Sequence, residues 1–166
     1  MLGPEHWSIP ERYMVRYHLS HLVWWALGAI SALIVALAAV FALTRFGILT
    51  TKLLDTTWWY ATCVATPLLT GVSFAVKPAI LRGGMAEWSL HRVVVKYERT
   101  LILVMMICLV AGLLPCIVAA LSGEFGYPLL IVVVPLAALI AHFPHAERFS
   151  AFVEGLLEEH AAQVGE

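Results

Sequence analysis

The chain has 166 residues, 61% of them hydrophobic and 13% charged, with a formal net charge of -1. A soluble domain is roughly half apolar and about a quarter charged, so the composition excludes an ordinary soluble fold. The balanced charge excludes the basic footprint of a nucleic-acid-binding surface.

The charges are segregated as well as scarce. No Asp, Glu, Lys or Arg falls within residues 17–44, 56–76, 100–123 or 125–146, runs of 28, 21, 24 and 22 residues. A helix rising 1.5 Å per residue needs about 20 residues to cross a hydrocarbon core of roughly 30 Å. The predicted fold is therefore all-α, a four-transmembrane-helix bundle. It divides into an N-terminal interfacial segment over 1–21, a membrane domain over 22–143 and an amphipathic cytoplasmic tail over 144–166.

In chain order, Ser8, Pro10 and Glu11 form a helix-start signal: a hydroxyl for an orphan backbone group, a proline in the first turn and the acid of a capping box. Tyr13, Tyr17, His21 and Trp24 follow beside Arg12 and Arg16, amphipathic and cationic groups that suit a membrane interface. Span one is placed at about 22–43. It continues well past the 7–15 apolar residues of a signal-peptide core and reads as a retained anchor. Gly28, Ala32 and Ala36 recur every fourth residue along it, a spacing that lets helix backbones approach in lipid.

Span two, about 56–76, is the most polar. Thr62, Thr66, Thr70 and Ser73 supply hydroxyls for backbone or interhelical hydrogen bonds, while Cys63, Pro67 and Gly71 form a second compact stripe. Pro67 cannot donate within the helix and predicts a kink. Residues 77–99 read as the largest loop, with a reversal at Arg82-Gly83-Gly84 and a short helix from Met85. Span three, about 101–121, carries the third small-residue stripe, Cys108, Gly112 and Cys116, and Ser122-Gly123-Glu124-Phe125-Gly126 after it reads as a tight outer hairpin. Span four, about 127–142, is the shortest and contains Pro135. In the tail, Phe149, Phe152, Val153, Leu156 and Leu157 share one helical face, and Glu154, Glu158 and Glu159 take the others.

Four spans place Arg12, Arg16, Lys77, Arg82, Arg92, Lys96, Arg99 and Arg148 on one side, and Arg45 and Lys52 on the other. By the positive-inside rule both termini are expected in the cytoplasm, and the compact loops favour a bacterial plasma (inner) membrane. Cys63, Cys108 and Cys116 lie within apolar runs and read as small buried hydrophobes, not as a disulfide framework.

The histidines are the one constellation with chemical promise. His18 and His21 sit three apart at the entrance of span one, and His142 and His145 three apart at the exit of span four. The spacing puts two imidazoles on one helical face, and convergence of the two pairs would make a cofactor site for haem or quinone, centred on His21 and His142. No intramembrane carboxylate, lysine or arginine supplies a proton relay. Glu87 and His91 form an acid–imidazole pair without a nucleophile, phosphate loop or acidic metal cluster beside them. The expected role is a non-catalytic integral membrane subunit that anchors or stabilises a larger complex with other membrane subunits or further copies of itself. A redox subunit holding haem or quinone is the first alternative, and a small oligomeric transporter or channel, kinked at Pro67 and Pro135, the second.

Overall fold

The computed structural model describes residues 8–48, 54–55, 57–82, 89–123, 126–153 and 155. These are 91% helical and contain no strand. The helices are α1 (Ile9–Arg45), α2 (Thr57–Arg82), α3 (Leu90–Ser122), α4 (Gly126–Ala141) and α5 (Ala146–Val153). Three of them, α1, α2 and α3, are long and apolar enough to cross a membrane. A fourth span exists if α4 and α5, bent by 59° at the break between them, count as one. The chain thus has the helices of a membrane protein.

α1 begins at the expected signal. The Ser8 backbone N–H and hydroxyl both donate to Glu11 Oε2, at 2.7 and 2.6 Å. From there one helix of 37 residues runs through the aromatic segment to Arg45, about 55 Å long. Its buried positions are Val15, Leu22, Ala26, Ala29, Leu33 and Val40. Their separations of three, four and seven residues define one seam, the pattern of shallow helix crossings.

That seam packs on α3, the central helix. Half of the most apolar stretch of α3 is buried within the chain, against 22% for α1 and for α2. α1, α2 and α4 all pack against α3, whereas α1 and α2 barely meet. Contacts of His18 with Glu98 and of Leu33 with Gly112 make α1 and α3 parallel. Lys96 Nζ meets the Leu81 carbonyl and Cys108 meets Ser73, so α2 runs antiparallel to α3.

The expected 77–99 loop is largely helix. α2 extends through Pro78 to Arg82, and α3 starts at Leu90, with the Ser89 hydroxyl accepting the Arg92 backbone N–H. Apolar packing explains the extension: Leu81, Val93, Val94 and Tyr97 are buried, so these charged helix ends still have a core-facing side. At the far end, Gly123 closes α3 in the left-handed region, at φ 69°, with its N–H on the Ala119 carbonyl. Only glycine enters that region without a Cβ penalty, which is why the predicted hairpin falls there. α5 returns its apolar face to the core, with Phe149 and Val153 buried and the Tyr97 ring 5.1 Å from Phe149 and 5.4 Å from Phe152. The tail positions Glu154, Leu156, Leu157, Glu158 and Glu159 lie outside the described residues, as do Lys52 and the start of the short helix expected from Met85, with Glu87; the rest of that helix is the beginning of α3.

Candidate functional site

The polar centre of the molecule lies between α1 and α3. Glu98, on the buried side of α3, accepts from His18 Nδ1 at one carboxylate oxygen and from His21 Nδ1 at the other, each at 2.6 Å. The i,i+3 spacing of the two histidines puts both rings over one side chain of the neighbouring helix. An ionised carboxylate only accepts, so Nδ1 carries the proton in both rings. Trp25, one turn on, donates its indole N–H to His21 Nε2 at 3.2 Å and stacks edge-on against that ring. His21 is therefore gripped at both nitrogens. His18 is the more enclosed of the two, with its side chain 18% exposed against 50% for His21. Its ring lies 6.4 Å from that of His91, whose Nδ1 approaches Met14 Sδ at 3.3 Å.

Immediately deeper along α1 and α3 is a groove of about 390 Å³, lined by His21, Trp24, Trp25, Gly28, Met105 and Leu109 among others. It has a polar mouth at His21 and aromatic and thioether walls below. Nothing lies within 4 Å of a Cβ placed on Gly28, so the absent side chain there contributes open space.

The second histidine pair takes different partners. His142 is buried at the end of α4, with Nε2 at 3.2 Å from Ser73 Oγ on α2 and its ring 4.4 Å from Phe74. The Ser73 hydroxyl donates to the Thr70 carbonyl at 2.6 Å, so it accepts from His142 Nε2–H. His145 is exposed and its Nδ1 lies 2.7 Å from the Phe143 carbonyl. All four histidines sit toward the charged end of the bundle, but the pairs are divided between two interfaces of the chain. Among the described residues no group of three or more His, Cys, Asp or Glu side chains is arranged to hold a metal ion.

The three small-residue stripes also separate. On α3, Cys108, Gly112 and Cys116 face inward, and a Cβ on Gly112 would meet Leu33 Cδ1 at 2.7 Å. On α1, Gly28 and Ala32 face outward and Ala36 is half-buried. On α2, Cys63, Pro67 and Gly71 all face outward, while Thr62, Thr66, Thr70 and Ser73 are buried. Thr62 and Thr70 donate to the carbonyls one turn back. These two bonds lie within α2, and Ser73 alone of the four hydroxyls bonds across an interface, to His142, while Val64, Leu68 and Val72 are on the apolar outside. Cys63 is an exposed free thiol and Cys108 and Cys116 are buried ones.

Sequence reasoning placed the histidines but missed Glu98 as their partner. The signal lay in its isolation: it is the one acid in a stretch carrying Arg92, Lys96 and Arg99. Comparison of the chain with known protein families, curated proteins and solved structures gives no match.

Proposed function

We propose that the chain is a non-catalytic membrane subunit with four spans and both ends in the cytoplasm, and that it holds a larger membrane assembly together. The observation that carries this reading is the outward orientation of compact surfaces on α1 and α2. Ala32 on one helix and Cys63, Pro67 and Gly71 on the other are exposed, and a Cβ on Gly71 meets nothing within 4 Å. Small residues of this kind allow close backbone approach between membrane helices. Those of α3 serve the interior of the chain, and those of α1 and α2 are left for a neighbour. Continuing α4 into α5 supplies the length of a fourth span, and the eight-to-two cation distribution supports the orientation.

The test is gentle solubilisation of the full chain from its own membrane and identification of everything that accompanies it. Stoichiometric partners are expected with the parent chain. Ala32→Leu and Gly71→Leu should shed them while leaving the helical content and thermal transition of the chain itself within about 0.5 kcal/mol of the parent, as for exposed sites in general. A chain that isolates only as a monomer would remove the proposal.

A second reading draws on the α1–α3 groove. A cleft with aromatic and thioether walls accepts a flat quinone ring by packing alone, which a haem ligated by histidine does not allow. A haem between His21 and His142 would need those rings to face one another, and they are committed to Glu98 and Ser73. Solvent extraction of the purified protein should then release a quinone with its characteristic ultraviolet difference spectrum, and much less of it from Gly28→Leu, whose side chain would fill the open groove, than from parent. An extract without quinone from the parent protein ends this reading and leaves the anchoring role untouched.

A further inference from the structure

Where α2 and α3 meet is a larger depression of about 580 Å³, which reaches His91 at its edge nearest α1. Its walls include Ile80 from α2 and Arg92, Lys96, Arg99 and Leu103 from α3. We infer that this depression is a binding site for one anionic phospholipid, its phosphate held by Arg92, Lys96 and Arg99 and its acyl chains laid along Ile80 and Leu103.

Three features converge on that ligand. Positions 92, 96, 99 and 103 are separated by four, three and four residues, so they stand in a single row on α3. The row is graded: the three cations occupy about 10 Å of helix, and Leu103 follows one turn deeper. Arg99 is the last charge before the uncharged run 100–123. A soluble anion has no use for an apolar floor, whereas an amphiphile with a charged head matches the gradient. Position completes the match, because the cations stand where the chain passes from its charged end into its apolar stretch, the level of lipid headgroups.

The local structure holds the row in place. Lys96 is half-buried and its Nζ lies 3.4 Å from the Leu81 carbonyl at the end of α2. Arg92 stands in the first turn of α3, its backbone N–H accepted by Ser89. Glu98 spends both carboxylate oxygens on the histidines of α1 and is not among the residues lining the depression. The inference depends on the spans lying in lipid and is independent of the anchoring role.

Native mass spectrometry of the full chain in mild detergent, offered phosphatidylglycerol and phosphatidylcholine of identical acyl composition, tests the site. One phosphatidylglycerol should be retained in preference to phosphatidylcholine. Each of Arg92→Gln, Lys96→Gln and Arg99→Gln should reduce that preference about fivefold, the effect of one basic residue near a membrane surface. Arg12→Gln with Arg16→Gln, which removes two cations from α1 at the same end of the bundle, should leave it unchanged. Arg99 is exposed, so its variant gives the answer even if Lys96→Gln, at a half-buried position, does not fold. Equal retention of the two lipids overturns the site, as does equal loss in the α1 variant, which would mean a diffuse field. Displacement of bound phosphatidylglycerol by inorganic phosphate alone would assign the cations to a soluble anion and overturn the lipid.

Discussion

Glu98→Ala should destabilise the chain by about 2–3 kcal/mol, the worth of one well-enclosed hydrogen bond to a charged acceptor plus a smaller second one. The larger share belongs to His18, because both partners of that contact are mostly enclosed, whereas His21 is half exposed and solvent screens its share. Double-mutant cycles read by unfolding in a mixed-detergent titration separate the two. Coupling between His18→Ala and Glu98→Ala should exceed about 1 kcal/mol, and coupling between His21→Ala and Glu98→Ala should stay near the range of exposed pairs, below about 1 kcal/mol. Equal couplings would mean that the carboxylate does not clamp α1 through its enclosed histidine. Glu98→Gln should recover part of the loss, since its amide oxygen still accepts from one ring while its NH₂ group opposes the other.

Gly112→Ala carries the second large effect. The new Cβ would stand 2.7 and 2.8 Å from the two terminal carbons of Leu33, a side chain with no exposed surface, so Leu33 must shift against its packed neighbours. Overpacking of this kind costs about 1–3 kcal/mol. Leu33→Ala alone leaves a cavity and costs about 2–5 kcal/mol. The two changes compensate in space, so the double variant should lie well above the sum of the single losses in the same titration. Simple additivity would show that the α1–α3 approach is looser than the 2.7 Å contact requires. Gly28 provides the contrast within the same helix pair, since its added Cβ meets nothing and substitution there is felt by whatever lies outside the chain.

These two expectations use features that differ in how far the sequence foretold them. The capping group at Ser8 and Glu11 and the reversal at Gly123 were legible, because caps and left-handed turns depend on residues adjacent in the chain. The spacing of His18 and His21 was legible for the same reason, as was the apolar face of Phe149, Phe152 and Val153. Glu98 was not. The helix expected from Met85 already carried it, and it stands two turns into α3, but a charge on a helix finds its partner only when that helix is docked. The second histidine pair shows the same limit from the other direction: i,i+3 spacing aligned the rings, and only the packing of α4 against α2 gave His142 to Ser73.

Segregated charge and apolar run length determined by themselves that the chain is all-helical, where its long apolar helices run and which end of each bears cations, because a backbone in lipid has to satisfy its polar groups within each helix. Tertiary structure decided how each helix is rotated about its own axis. Three stripes of small residues look alike in sequence, yet one is spent inside on Leu33 and two are turned outward. The physical reason is that rotation is settled by all neighbours at once: α3 meets three helices and admits Leu33 at its narrow face, while α2 turns inward the face whose Ser73 meets His142, leaving Cys63, Pro67 and Gly71 outside.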